Sequence, residues 1–181
     1  MLGRYNIEDD AARAFAVLKD GGTAILPMDV GYSLIGGSEV ALDLIFRTKG
    51  RASDKLNAMV GNQAIHEAIQ KVDQRAHDVI QALTADAGLP LGVIAPCDLS
   101  HPILNVIDME GSNKDGTIAL LMNAGSFHDA ISRLSLEHGH PLFGSSANRS
   151  LQGTKFRVED IESEILAIAD IVIDHGLRKY H

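Results

Sequence analysis

Apolar residues recur at helical spacing near the N-terminus, from Ile7 to Leu18. Asn6 stands before them where an N-cap is expected, and Gly21-Gly22 predicts the end of this helix. The next segment, 23–27, is short and apolar and predicts a buried strand. The chain therefore begins with a helix followed by a strand.

The same alternation continues to the C-terminus. Further helices are predicted after Ser38, over about 74–86, from a capping box of Ser126 and Asp129 to about Glu137, and around Ile161 and Ile165. Further strands are predicted over 57–61, 91–95, 117–122, 141–144 and 170–174. The glycine-rich stretch 28–37 is predicted to be a loop. This order favours an α/β or α+β domain around a mostly buried sheet.

Length and composition are those of one ordinary globular domain. The chain has 181 residues, of which 45% are hydrophobic and 22% are charged. Its one cysteine, Cys97, excludes an intrachain disulfide and favours a reducing, cytoplasmic location. The N-terminus has no apolar core typical of a signal peptide, and no apolar run approaches the roughly 20 residues that span a bilayer, so we expect no membrane association.

Positive charge is concentrated in two short segments of an acidic chain. The net charge is −8, which disfavours general nucleic-acid binding. Segment 47–55 nevertheless holds four cationic side chains against one acid, and segment 149–157 holds three cationic side chains and no acid. Two compact basic segments indicate a small polyanionic ligand more than an extended nucleic-acid surface.

The first candidate site is Lys49-Gly50-Arg51, with Lys55 four residues beyond Arg51. In an extended segment Lys49 and Arg51 point to the same side, and Gly50 allows a ligand to approach the backbone. A lysine and an arginine together suit a phosphate or a carboxylate. The alternative is a solvated helix C-terminus, where cations are favoured in any case.

The second candidate site follows the strand predicted over 141–144. Ser146 and Asn148 are two residues apart, and their hydroxyl and amide could hold a phosphate or a ribose. Ser145 and Arg149 are adjacent to them. The alternative is a serine or asparagine turn that ends the strand.

The third candidate site follows the strand predicted over 23–27. Pro27 restricts the backbone, and Gly31 permits a tight turn. Asp29 and Tyr32 offer an acceptor and a phenol near the end of that strand. The alternative is a turn with a capping aspartate and a half-buried tyrosine.

These three motifs, P-x-D-x-x-Y-x-L, K-G-R-x-x-x-K and G-S-S-A-N, occur in an order that resembles the YrdC-like domain family of threonylcarbamoyl-AMP synthases. The resemblance extends from about Gly21 to Gly176. It implies one YrdC-like domain over residues 1–181, with a twisted, mixed sheet and a concave, positively lined cavity. The strand that usually closes this domain would fall beyond His181.

The resemblance also implies an activity. Family members convert ATP, L-threonine and bicarbonate to threonylcarbamoyl-adenylate and pyrophosphate, with Mg²⁺ expected on the phosphates, and a partner enzyme then modifies tRNA. Lys49 and Arg51 would neutralise phosphate charge as the catalytic residues. The remaining nucleotide-binding residues would be Lys55, Ser146, Asn148 and Arg149, and those bordering the amino-acid substrate would be Pro27, Asp29, Tyr32 and Ser145.

The sequence departs from the family pattern mainly at its amino-acid side. Met28 and Val30 replace residues that carry hydroxyls in the family, and an arginine of the family falls near Leu121. A histidine that often follows the third strand is replaced at about Gly61 or Asn62. Two alternatives therefore remain: a divergent nucleotide- or RNA-binding relative, or an enzyme that uses another amine or carbamoyl compound.

Overall fold

The computed structural model describes residues 5–50, 56–104 and 111–181. These residues contain the strands β1 (Thr23–Met28), β2 (Gly31–Gly36), β3 (Ala58–Val60), β4 (Leu91–Pro96), β5 (Thr117–Met122), β6 (Phe143–Ser146) and β7 (Ile171–Val172). The seven strands form one sheet in the order β4-β5-β3-β6-β2-β1-β7. β3 pairs with β5, and β1 with β7, in parallel, and the other neighbours are antiparallel. The expected α/β fold with a mixed sheet is confirmed.

The α-helices of the described residues are α1 (Ile7–Lys19), α2 (Glu39–Lys49), α3 (Gln63–Ile69), α4 (Gln74–Gln81), α5 (Ser126–Glu137) and α6 (Ser163–Leu166). The Asn6 side chain accepts a hydrogen bond from the Asp9 amide, and Ser38 caps α2 through the Ala41 amide. Both predicted N-caps are therefore confirmed. None of these helices combines the length and the apolar character that a membrane crossing requires.

The sheet separates two apolar cores. On one face, α2, α3 and α6 contribute Ile45, Ile65 and Ile165 to a core with residues such as Leu34 and Phe143. On the other face, α1 and α5 pack on β1, and their apolar residues enclose Ala24, Leu26 and Met28. Because these two helices lie at the β1 side, the part of this face formed by β3, β5 and β4 is available to line a cavity.

The predicted loop over 28–37 is wrong, because six of its residues form β2. The glycines in this stretch mark close packing instead of a turn. A Cβ atom on Gly37 would lie 1.6 Å from the Leu18 carbonyl oxygen, so only glycine fits against the end of α1. The actual turn is the short connection of Asp29 and Val30 between two antiparallel strands.

The predicted capping box of Ser126 and Asp129 is also wrong. Gly125 is the N-cap of α5, Ser126 is its first residue, and no side chain caps the helix. A Cβ atom on Gly125 would lie 2.4 Å from Oδ1 of Asp29. The contact of Gly125 with Asp29 thus sets the start of α5, and this contact cannot be read from the local sequence pattern.

Candidate functional site

A cavity of about 410 Å³ lies on the face of the sheet opposite Leu34 and Phe143. Ser33 and Ser146 are paired in register across β2 and β6 and both line it. Most of the other lining residues come from the central and β4-side strands and are small or apolar. They include Ile35, Ala58, Val60, Gly92, Ile94, Ala119, Leu121 and Gly144.

Glycine is required in the floor of this cavity. A Cβ atom on Gly144 would lie 2.1 Å from the Leu34 carbonyl oxygen, so a side chain there would force β2 and β6 apart. Gly31 has φ +126°, and a Cβ atom there would meet Thr154 Cγ2 at 2.1 Å. These glycines let the segment around Thr154 close against the end of β2.

The cavity is not basic over the residues that the structure describes. No described residue of its lining carries a charge, and Ile94 in its wall is 75% exposed. The expectation of a positively lined cavity is therefore wrong for this part of the wall. Arg51 and Lys55 lie outside the described residues, so their predicted roles stay predictions.

Lys49 is buried next to the segment that follows β6. It is the last residue of α2, it is only 3% exposed, and its Nζ donates to the Ser146 carbonyl oxygen. In return, the Ser150 amide donates to the Lys49 carbonyl oxygen at 3.1 Å. The alternative of a solvated helix end is thus wrong for Lys49, and the structure brings the first and second candidate motifs together.

The segment 145–150 holds three buried polar oxygens that have no hydrogen-bond partner among the described residues: Ser145 Oγ, Asn148 Oδ1 and Ser150 Oγ. Asn148 is 6% exposed, and its Nδ2 donates to the Arg149 carbonyl oxygen at 2.5 Å. Buried polar groups are nearly always paired, because leaving one unpaired costs about 1–3 kcal/mol. Such a concentration in six residues is typical of a site that a ligand completes.

The cations of the second basic segment are paired with acids of the chain. Arg149 lies 3.2 Å from Glu164, and Lys155 lies 2.8 Å from Glu162. Burial opposes the ionisation of Glu162, but the hydrogen bonds from Lys155 and from backbone amides outweigh it and lower the pKa of this carboxyl. Arg149 therefore borders the site, but its guanidinium contacts an acid.

Tyr32 is part of the cavity lining, but its hydroxyl is bonded to residues near the C-terminus. Its side chain lies on the Leu34 face, and its hydroxyl is 2.8 Å from Asp174 Oδ1 and 2.9 Å from the Gly176 carbonyl oxygen. Burial, reinforced by Asp174, raises the pKa of this phenol. Pro27 pairs with Tyr32 across the hairpin and is buried on the same face. The lining of the cavity includes Tyr32 but not Pro27, and the predicted substrate contacts of both residues stay predictions.

Asp29 also lies apart from the cavity. Its carboxylate is 3.4 Å from Arg178 and 4.0 Å from Lys179. It contributes instead to a second, polar cavity at the ends of β3 and β5. Sequence reasoning missed this second cavity and the role of Arg178, because nothing in the local pattern links residues 149 positions apart.

Leu121, near which the resemblance places an arginine of the family, lies in the wall of the main cavity. The comparison of the sequence with the family's motifs thus pointed to a position in the cavity wall. Ser33 and Thr154 also line the cavity and were not predicted. The alternation of β2 would have placed Ser33 on the same face as Ile35, had this segment been recognised as a strand.

Comparison with known proteins identifies the fold. The Sua5_yciO_yrdC family model, described as "Telomere recombination", matches residues 16–181. No protein of curated function matches the sequence. Among solved structures, a hypothetical protein from Streptococcus mutans is similar with a TM-score of 0.75 and 22% identity, over 90% of this chain and 64% of that one.

Two further structures carry ligands. Sua5 of P. abyssi in complex with L-threonine is similar with a TM-score of 0.73 and 18% identity, over 97% of this chain and 49% of that one. HypF in a phosphate- and nucleotide-bound form is similar with a TM-score of 0.67 and 17% identity, over 97% of this chain and 25% of that one. This chain thus spans less than two thirds of each of these three proteins. The match over residues 16–181, together with the shared fold, shows that the chain belongs to the Sua5/YciO/YrdC family.

Proposed function

We propose that this protein binds ATP at the main cavity and transfers its adenylyl group to a carbamate, as a threonylcarbamoyl-AMP synthase does. The single observation that carries the proposal is the cluster of Ser145, Asn148 and Ser150 beside the buried Lys49. The buried oxygens of these three side chains have no hydrogen-bond partner within residues 5–50, 56–104 and 111–181. Hydroxyls can donate to phosphate oxygens, and the Asn148 carbonyl can accept from a ribose hydroxyl. The related structures solved with a nucleotide and with L-threonine support a ligand of this class.

The main cavity suits the remainder of a nucleotide. Its volume of about 410 Å³ lies within the usual range of small-molecule sites, roughly 300–1,000 Å³. The walls formed by Ala58, Val60 and Ala119 would contact the flat face of a base, and Ser33 with Ser146 would offer hydrogen bonds at one side. The base would thus lie on the sheet, with its phosphates toward the segment 145–150.

The reaction requires charge stabilisation more than a nucleophilic side chain. A carbamate formed from an amine and bicarbonate would attack the α-phosphorus through its oxygen. The bond between the α-phosphorus and the bridging oxygen would break, and pyrophosphate would leave. Lys49 would hold the segment after β6 in position through the Ser146 carbonyl group and place one positive charge beside the phosphates.

Mg²⁺ is expected to arrive with the phosphates of ATP. Among the described residues, no group of three or more histidine, cysteine, aspartate or glutamate side chains is placed to hold a metal ion. Mg²⁺ typically keeps several waters and substrate oxygens as ligands, so a nucleotide site of this kind needs few protein ligands. Its contribution would be to neutralise charge on the phosphates.

The direct test is pyrophosphate release from ATP, bicarbonate and L-threonine by the purified chain. We expect turnover in the parent protein, and its loss in Lys49→Ala and Asn148→Ala. Lys19→Ala, at the exposed end of α1, is the matched control and should retain activity. ATP should also stabilise the folded parent protein. At an ATP concentration a hundred times Kd, the free energy of unfolding should rise by about 2.7 kcal/mol. Absence of both ATP stabilisation and pyrophosphate release would overturn the proposal.

The position of Leu121 favours one second candidate, an enzyme of the same chemistry that uses an amine without a carboxylate. A carboxylate gains about 1.5–3 kcal/mol from a charged partner, and Leu121 cannot supply one. ATP-dependent pyrophosphate release with neutral amines, but not with L-threonine, would support this candidate. ATP binding with no release in either case would indicate a nucleotide-binding relative without the reaction.

The proposal also includes a link to tRNA, in a step that follows the adenylyl transfer. The net charge of −8 disfavours direct binding to an extended RNA surface. We therefore expect the product to pass to a tRNA-modifying partner enzyme. Gel-shift titrations with tRNA at 50 and 200 mM salt test this expectation, since tight, salt-sensitive binding by this chain alone would contradict it.

A further inference from the structure

A second cavity of about 430 Å³ lies where β3 and β5 end and where α3 and α5 begin. It is next to the main cavity, because Asp29 and Met122 line the second cavity whereas their chain neighbours Val30 and Leu121 line the first. The other residues of its wall are largely polar. They include Asn62, Gln63, Thr84, Asn123, Ser126, His128, Asp129 and Lys179.

Two hydrogen-bond acceptors in this wall lack a partner among the described residues. His128 is 0% exposed, and its Nε2 lies 3.0 Å from the Leu121 carbonyl oxygen, so Nε2 carries the proton and donates. Burial lowers the pKa of His128 to about 4, which keeps the ring neutral. Nδ1 is therefore an acceptor, and it is buried and unpaired. The buried Oε1 of Gln63 is unpaired as well.

Three charged residues line this cavity, and of these Asp129 is the carboxylate that forms no ion pair among the described residues. Asn62 Nδ2 approaches its carboxylate only at 3.4 Å, and no cation of the described residues lies within ion-pair distance of it. Asp29, in contrast, already contacts Arg178 and Lys179. The cavity thus combines one carboxylate that has no ion pair among the described residues with two neutral acceptors that have no hydrogen-bond partner among them.

The arrangement selects against anions and metal ions. The positive end of α5 faces Asp29, whose carboxylate lies against Gly125, so an anion would have to displace or oppose that carboxylate. A divalent metal ion is disfavoured because no group of three or more side chains that ligate metals lies together among the described residues. A ligand with several N–H donors and a positive charge matches the acceptors that remain.

We propose that this second cavity is a binding site for a small organic cation, an ammonium or a guanidinium compound. Asp129 supplies the opposite charge, and His128 Nδ1 and Gln63 Oε1 accept hydrogen bonds from the nitrogen donors. The volume of about 430 Å³ accommodates a short-chain amine. None of these three acceptors lines the first cavity, so cation binding can be tested without a nucleotide.

The test is a titration of the full chain, without ATP, with agmatine and with ethylammonium, followed by NMR of the histidine ring nitrogens and the side-chain amides. We expect saturable shifts of the His128 Nδ1 and Gln63 Nε2 signals. Asp129→Asn should weaken binding about tenfold or more, because it removes a charge-assisted hydrogen bond. Asp160→Asn, an exposed aspartate outside the cavity, should bind like the parent protein.

Gln63→Leu provides a second variant should Asp129→Asn fail to fold, and it should also weaken binding. Three results would overturn the proposal: no saturable shift with either cation, equal affinity in the parent protein and the folded variant, or tighter binding of glutarate or Mg²⁺ than of both cations. Since no nucleotide is present, each result is distinct from a failure of the adenylyl-transfer proposal.

Discussion

The two cavities are nearly equal in size and opposite in chemistry. The main cavity, about 410 Å³, is lined by small and apolar side chains of the sheet, with Ser33 and Ser146 at one side. The second cavity, about 430 Å³, is lined by amides, carboxylates and a buried histidine. The difference follows from their construction. The first lies on a strand face, where alternate residues share one environment, and the second lies at strand ends and helix starts, where backbone groups need polar partners.

The close approach of β2 and β6 is the feature on which the main cavity depends most. Gly144→Ala places a Cβ atom 2.1 Å from the Leu34 carbonyl oxygen, so the strands must separate. We expect a loss of about 3 kcal/mol in the free energy of unfolding, measured by urea denaturation. Gly92→Ala, in the same cavity with no atom within 4 Å of the new Cβ, is the matched control. Equal stability of the two variants would contradict this account of the cavity floor.

The second cavity should make folding sensitive to pH through His128. Burial lowers the pKa of His128 to about 4 from its ordinary value of 6.5, so between these values the unfolded chain binds more protons. Stability contributed by the neutral ring is therefore complete above about pH 6.5 and decreases as the pH falls toward 4, by up to about 3 kcal/mol.

Urea denaturation between pH 4 and 7 measures this effect. The pH dependence should be smaller in His128→Gln, and it should persist in His138→Gln, which alters an exposed histidine. An unchanged pH profile in His128→Gln would show that the buried ring is not the source.

Tyr32→Phe tests whether this tyrosine belongs to the core or to the main cavity. The change removes a hydroxyl that contacts Asp174 and Gly176 and accepts from the His175 amide. We expect a loss of about 2 kcal/mol in the free energy of unfolding, because buried groups lose their partner. The affinity for ATP, measured by calorimetry, should stay unchanged. Weaker ATP binding without a loss of stability would assign Tyr32 to the site instead.

Leu121→Arg would convert part of the apolar wall into a charged one. The side chain lies in the main cavity, and a guanidinium there could contact a carboxylate. We expect the affinity for L-threonine to rise about tenfold, measured by calorimetry in the presence of ATP. Leu99→Arg, outside both cavities, is the control. If both variants bind threonine alike, Leu121 does not determine which substrate enters.

Most elements could be predicted from the sequence because their signals are local. The N-caps Asn6 and Ser38 and the helical spacing of apolar residues located α1 and α2. β5 was predicted with its observed bounds from an apolar run. β2 was missed because a stretch with several glycines is typical of a turn. The glycines of 28–37 are instead explained by close contacts, such as that of Gly31 with Thr154 and that of Gly37 with Leu18.

The candidate site was predicted only in part, because motifs are local signals and the site also depends on contacts between distant segments. Motif order placed Lys49 near Ser146 and Asn148, and the structure brings these residues together. Sequence spacing placed Pro27, Asp29 and Tyr32 in one group, but the hairpin pairs Pro27 with Tyr32 and directs Asp29 to the second cavity. A motif shows that residues are close along the chain, but it does not show which face of a sheet each side chain occupies.

The sequence by itself determined the fold class and the family, because helix spacing, apolar runs and motif order are all properties of the linear chain. Only the tertiary structure decided that the described wall of the main cavity carries no charge and that Lys49 is buried. It also decided that a second cavity lies beside the first, with buried acceptors that no described residue pairs. The physical reason is that burial and pairing depend on segments far apart in sequence, such as Asp29 with Gly125 or Tyr32 with Asp174. No local pattern records such contacts.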